Sequence, residues 1–260
     1  MTPPLRTLSN WSPEVVVFDC DGTLMDTERH WQDARNRAFR EFGLRPPPGF
    51  ADRAKGVHYV DCGHLMAEET NKPELAADLT TALLAHFMSL VAEDPLTMPG
   101  AGEMVRFLSG RLPLAVASNC PLEVVEESLG RAGLRRHFRH VVVPTGPPDD
   151  SGIALGKGGE RLSAVRPKPW PDVYTTAARL CGVRPENTLA VEDSLTGVES
   201  AWRAGMRVLG VGPLPDEAST GHADAWVAAL DDPEVLRWVR DWRRPPSPGG
   251  DKNHERHGPH

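Results

Sequence analysis

Five short apolar runs punctuate the chain, at Glu14 to Asp19, Leu112 to Ser118, His140 to Pro144, Thr188 to Glu192 and Met206 to Gly212. The first, EVVVFD, is nearly continuous hydrophobe with no polar alternation, the pattern of a strand buried on both faces of a parallel sheet. Helical periodicity fills the intervals over Leu122 to Ala132, Pro171 to Leu180 and Thr196 to Ala204. Strands alternating with helices predict an α/β fold built on a doubly wound parallel sheet. Such sheets bind ligands beyond the carboxyl ends of their strands, so the residues that close each run are where chemistry is expected.

One stretch breaks the alternation. Between Thr27 and Leu96 the segments His30 to Phe42, Tyr59 to Glu69 and Pro73 to Glu93 read as helices, and no strand pattern intervenes. Residues 27–96 are therefore predicted to form an inserted all-helical domain, within a core made of 12–26 and 97–243. Pro46-Pro47-Pro48-Gly49 separates the first two of these helices, and Met98-Pro99-Gly100-Ala101-Gly102 marks the return to the core. A chain of 260 residues can bury a core of this size. The glycine- and proline-rich stretch Thr145 to Val165 reads as irregular, and residues 244–260 as a disordered tail.

Composition removes several functional classes. A formal charge of -7 disfavours nucleic acid as a partner. No apolar run is expected to be long enough to cross a bilayer. The opening MTPPLRTLSNW lacks the basic and apolar regions of a secretory signal, so a cytoplasmic location is expected. Cys20, Cys62, Cys120 and Cys181 are scattered without a CxxC pair and read as reduced packing residues. Strand alternation turns Cys20 away from the face of its two aspartate neighbours.

The strand ends carry the candidate chemistry. Asp19-Cys20-Asp21-Gly22-Thr23 places two carboxylates directly after the first strand; alone, it would also suit a turn that uses Asp and Gly for their backbone preferences. Ser118-Asn119 ends the second strand with a hydroxyl and an amide able to donate to phosphoryl oxygens, or to cap the next helix. Lys168 lies between two prolines that fix its backbone and aim a cation; a solvated loop lysine is the plainer alternative. Glu192-Asp193 ends another strand with hard oxygen ligands suited to magnesium, although Asp193 or Ser194 would serve equally as a helix cap.

In this order the motifs, Phe18-Asp19-Cys20-Asp21-Gly22-Thr23-Leu24, Ser118-Asn119, Lys168-Pro169 and Glu192-Asp193-Ser194, resemble the haloacid dehalogenase superfamily. The resemblance runs from about Val15 to Gly212, and the helical insertion resembles the cap of the phosphatase and β-phosphoglucomutase-like branch. It implies that Asp19 attacks phosphorus, Asp21 acts as acid and base, and Ser118 and Lys168 hold the transferring group, with Asn119 as a neighbouring phosphate contact. It further implies Mg2+ bound by Asp193, by Asp19 and by the Asp21 carbonyl, with Glu192 a direct ligand or one acting through water. The expected activity is release of phosphate from a small phosphorylated metabolite, such as a sugar phosphate.

The first cap helix and the loop after it bear on substrate. Lys55-Gly56-Val57-His58-Tyr59 resembles the branch's recognition loop, making Lys55 and His58 candidate substrate contacts, but lacks the arginine that follows in the mutases. Trp31 stands where the mutase pattern has histidine; it reads either as helix core or as a substrate contact, with His30 exposed in the first case. Phosphatase is therefore preferred to mutase. A non-catalytic phosphate-binding or signalling protein is the other alternative, but a receiver would carry its phosphoacceptor after a middle strand, where this chain has Ser118-Asn119.

Overall fold

The computed structural model describes residues 8, 11–54, 57–94, 96–145, 153–155, 161–215 and 221–242. The chain enters through β1 (Val15–Phe18) and then builds helices only: α1 (Glu28–Glu41), α2 (Phe50–Ala54), α3 (Tyr59–Glu69) and α4 (Ala76–Glu93), the last preceded by a 3-10 turn at Pro73–Leu75. It returns through α5 (Ala101–Ser109), β2 (Leu114–Ala117), α6 (Leu122–Arg131) and β3 (His140–Val142). A short pair, β4 (Ile153–Leu155) and β5 (Arg161–Ser163), precedes α7 (Asp172–Leu180) and β6 (Thr188–Glu192). The described chain ends through α8 (Leu195–Arg203), β7 (Arg207–Val211), β8 (Ala225–Val227) and α9 (Pro233–Arg240).

Six strands form one sheet in the order β3-β2-β1-β6-β7-β8, every neighbouring pair parallel. The chain steps outward from β1 to β2 and β3, then crosses back to place β6 on the other side of β1. The crevice at this reversal, beyond the ends of β1, β2 and β6, is where a doubly wound sheet accepts a ligand. Helices cover both faces, which explains the unbroken apolar runs. Val16, Phe18, Leu114, Val116, Leu189 and Val191 face a core shared with α5, α6 and α9, whereas Val17, Ala115, Ala117 and Ala190 face α7 and α8. Small residues on the second face let Val173, Tyr174 and Ala177 of α7 lie close to the strands.

The insertion is joined to the sheet by two linkers that run side by side. The Asp26 N–H donates to the Leu96 carbonyl at 2.9 Å and the Met98 N–H to the Leu24 carbonyl at 3.0 Å, so the outgoing and returning segments hold one another.

Several expectations are corrected. The edge strand β8, the helices α2, α5 and α9, and the antiparallel pair β4 and β5 were not anticipated. Within Thr145 to Val165, Ile153 pairs with Ser163 and Leu155 with Arg161, and Thr145 and Val165 bond to each other at its ends. Residues 146–152, 156–160 and 243–260 lie outside the described residues, and with them the predicted tail. The expectation about apolar length also fails, because the 21 residues Pro73–Glu93, with a window of mean hydropathy 1.6, are by length and composition long and apolar enough to span a bilayer. In the fold Leu79, Leu83, Phe87 and Val91 of this segment are buried, and α4 packs on α1 and α3.

Candidate active site

Backbone bonds carry the sheet pattern just past the strand ends: the Asp19 N–H donates to the Val191 carbonyl at 2.9 Å and the Ser118 N–H to the Val142 carbonyl at 3.0 Å. Asp19, Asp21, Ser118, Asn119, Lys168 and Asp193 consequently line one cleft, with Glu192 fully buried beneath it. Lys168 Nζ donates to Asp19 Oδ1 at 2.5 Å and to Glu192 Oε1 at 2.6 Å, and the three side chains are only 4, 9 and 0 % exposed. A cation buried to this degree persists only when its charge is matched and its donors are used.

The loop carrying Lys168 is held from three directions. Asn119 Oδ1 accepts the Lys168 N–H at 2.8 Å, and Asn119 Nδ2 donates to the Lys168 carbonyl at 3.3 Å. Arg166 forms a fork to Asp172 through two 2.9 Å bonds, and the Arg166 N–H adds a third at 3.0 Å. The Ser200 hydroxyl donates to the Trp170 carbonyl. Asn119 thus sits in the cleft where expected, while its amide bonds the lysine loop.

Glu192 has a fixed set of partners. The Tyr174 hydroxyl donates to Oε1 at 2.7 Å; the Ser194 hydroxyl and N–H donate to Oε2 at 3.1 and 3.3 Å. Ser194 also caps α8 by accepting the Gly197 N–H at 3.1 Å, so the predicted capping role and the site role coexist in one hydroxyl. Gly197 is needed for space: a Cβ there would lie 1.8 Å from Glu192 Oε1. Gly22, at φ +83°, serves Asp193 likewise, since a Cβ would lie 2.3 Å from Asp193 Oδ2. Gly197→Ala is expected to displace Glu192 and cost about 1–3 kcal/mol of stability, the range for overpacking a filled interior. Chemical denaturation of the variant beside the parent protein checks this; equal midpoints would contradict it.

Electrostatics follow from burial and from the crowd of carboxylates. Burial pushes the Asp19 carboxyl well above its ordinary pKa; Lys168 opposes the push, while Glu192, Asp193 and Asp21 add to it. For Lys168 burial works against the charge, but Asp19 and Glu192 outweigh it and raise its pKa. One ligand oxygen each from Asp19, Glu192 and Asp193 fall within 4.8 Å of one another. The excess of carboxylate over ammonium, at a site where burial works against the charged form of Asp19, fits a hard divalent cation at this cluster.

Asp21 is held at both carboxylate oxygens. The Thr27 hydroxyl donates to Oδ1 at 2.5 Å; the Cys120 thiol donates to Oδ2 at 2.8 Å, with the Ser118 hydroxyl at 3.5 Å from the same atom. Thr27 begins α1 yet makes no side-chain capping bond. Cys20 is buried with the hydrophobic core, as alternation predicts. Cys120 and Cys62 pack in the core as read and also line the cleft, and Cys120 adds a polar contact to its packing role. Burial, then Asp21, pushes its thiol well above the ordinary pKa, which keeps it a protonated donor.

The insertion forms the opposite wall. Glu28, Trp31 and Arg35 share one face of α1 at helical spacing and line the cleft. Arg35 is buried and pairs through Nη2 with Glu28 Oε1 at 3.0 Å, while Trp31 stacks on Phe87 at 3.6 Å. Trp31 is therefore both packed and cleft-lining. His30, which the reading of Trp31 as helix core left exposed, is instead buried on α1, 5 % exposed. His58 lines the cleft, and burial lowers its pKa toward the neutral ring; Lys55 and Gly56 lie outside the described residues. The sequence reading had no role for Tyr174, Thr27, Cys120, Glu28 or Arg35 in the site. A tyrosine on the buried face of α7 was the one available signal, since a buried phenol needs a partner.

Acids at the ends of two neighbouring parallel strands, a hydroxyl at the end of a third and a buried lysine between them thus meet in one cleft beneath a helical wall. A family profile described as haloacid dehalogenase-like hydrolase matches residues 13–205, and the chain belongs to this family. It is 29% identical over 221 residues to the "Probable pseudouridine-5'-phosphatase" of Drosophila melanogaster, covering 83% of this chain and 89% of that one. It is also 29% identical over 196 residues to the 6-phosphogluconate phosphatase of Escherichia coli K12, covering 75% and 80%. The crystal structure of CbbY from Rhodobacter sphaeroides in complex with phosphate shares the fold, with a TM-score of 0.70 at 24% identity, covering 88% of this chain and 99% of that one.

Proposed function

We propose that the protein is a magnesium-dependent phosphomonoester hydrolase that acts on a small phosphorylated metabolite, in the sugar-phosphate class, through a phospho-aspartate on Asp19. The observation that carries this reading is the Asp19-Lys168-Glu192 cluster, with Asp21 beside it at the mouth of the sheet. Membership of the hydrolase family and the phosphatase names of its relatives support the same enzyme class.

In this reading the Asp19 carboxylate forms the bond to phosphorus as the ester P–O bond breaks. Asp21 gives its proton to the departing oxygen, then takes one from the water that attacks the phospho-aspartate and releases phosphate. Lys168 holds Asp19 in place and offsets charge on the transferring group, and Ser118 donates to a phosphoryl oxygen. Glu192, gripped by Tyr174 and Ser194, keeps Lys168 at Asp19. Asp19, Asp193 and the Asp21 carbonyl would hold Mg2+, with Glu192 beside it. When bound, that ion neutralises phosphate charge that would otherwise repel the nucleophile. The wall of Glu28, Trp31, Arg35 and His58 would face the rest of the substrate.

The test is a panel of sugar phosphates, nucleotides and phosphoglycolate, assayed for phosphate and for isomerised product with Mg2+ and with EDTA. Phosphate release that EDTA stops is expected; isomerised product without phosphate would overturn the reading in favour of a mutase. Binding of Mg2+ should also raise thermal stability, by about 2.7 kcal/mol at roughly a hundredfold excess over Kd. Differential scanning fluorimetry checks it, and Asp193→Asn should lose most of the shift.

A further inference from the structure

Cys120 sits in the turn between β2 and α6 and touches two groups that the proposed reaction uses. Its N–H donates to the Ser118 hydroxyl oxygen at 3.0 Å, and its thiol donates to Asp21 Oδ2 at 2.8 Å. Pro121 follows it, and a residue before proline is confined to extended conformations, which narrows the directions its side chain can take. Cys120 is 7 % exposed and lines the same cleft as Asp19 and Asp21. Ser118 Oγ lies at the limit of a hydrogen bond to Asp21, at 3.5 Å, so the close donor on Oδ2 is sulfur.

We propose that Cys120 is a positioning residue for Asp21: together with Thr27 on the other oxygen, its thiol fixes the rotation of the carboxyl group that exchanges protons with the leaving oxygen and with water. This inference rests on the phosphatase reading above. The choice of sulfur has a chemical sense. A thiol is a weak donor, so it orients the carboxylate without binding it as strongly as a hydroxyl or an amide would. The same residue, through its N–H, ties the orientation of Ser118 to that of Asp21. Replacing the thiol by a group without a proton frees Oδ2 and lets the carboxyl turn away from the reacting oxygens.

The experiment compares kcat/KM for phenyl phosphate and p-nitrophenyl phosphate in the parent protein and in Cys120→Ala, Cys120→Val and Cys120→Ser, all with Mg2+. The two esters share the phenyl phosphate skeleton, but phenolate is the more basic leaving group and depends more on a proton from Asp21. Both constants report steps up to formation of the phospho-enzyme. Loss of the donor should lower kcat/KM for phenyl phosphate about tenfold, part of the roughly 10²–10⁴ that general acid catalysis contributes, and that for p-nitrophenyl phosphate by less than about threefold. Cys120→Ser keeps a donor and should hold the parent ratio of the two constants. Cys120→Val fills the site without a donor and gives the answer if Cys120→Ala does not fold. An unchanged ratio in the donorless variants, or a ratio in Cys120→Ser that moves with them, overturns the inference. Absence of phosphate release by the parent protein from both esters and from every member of the substrate panel would instead overturn the phosphatase reading itself.

Discussion

Asp19→Asn should abolish phosphate release, by at least about 10⁴-fold, while leaving the fold in place. The amide cannot form the phospho-aspartate, and no other described carboxylate takes both its place at the strand end and its bond to Lys168. Folding is expected to survive because burial already disfavours the charged form of Asp19, so a neutral side chain of the same shape removes a desolvation cost. Lys168 keeps its second partner, Glu192. The measurement is phosphate release on the best substrate of the panel, with circular dichroism to verify structure. Parental turnover in the folded variant would sink the covalent mechanism.

Lys168→Met has the second large effect, and it acts on stability as much as on rate. Removing the ammonium leaves Asp19 and Glu192 facing one another without their shared cation in a buried site. Stranding buried charge in this way costs about 3–5 kcal/mol. The deficit has a pH signature. Without Lys168 the Asp19 pKa, already raised by burial, rises further. A pKa raised on folding contributes stability that is full below the unfolded value and is lost as pH rises through the folded value. The gap between variant and parent should therefore be smallest in acid, below the ordinary carboxylate range, and widen toward neutral pH. Lys168 itself points the same way, since its raised pKa comes from carboxylates that lose their charge in acid. Denaturation midpoints measured across pH without metal check this; a gap that is constant with pH would show that lost packing, not charge, is responsible.

What was legible in the sequence depended on how local its cause was. β6 was placed residue for residue because a continuous apolar run bounded by polar residues describes a central strand by itself. β8 is three residues long, and its strand character comes from pairing with β7. The β4 and β5 pair is likewise a product of pairing within a stretch whose glycines and prolines suggested none. The site divides in the same way. Asp19, Asp21, Ser118, Glu192 and Asp193 could be located because a parallel sheet gathers its strand ends. Cys120 is 99 positions from Asp21 in sequence, and Tyr174 is 18 from Glu192, so their roles depend on turns and helix faces that no single motif encodes. Thr27 is only six positions from Asp21 but reads merely as the first residue of the helical insertion, and it precedes α1 without using its side chain as a cap.

The paired linkers have a mechanical consequence. Because Asp26 is tied to Leu96 and Met98 to Leu24, the two crossings between sheet and helices are bonded into one two-stranded ribbon. Thr27 lies on that ribbon and grips Asp21. A tilt of the helical wall about these linkers would also move the threonine hydroxyl against the carboxyl group, so that the opening of the cleft and the orientation of Asp21 would change together.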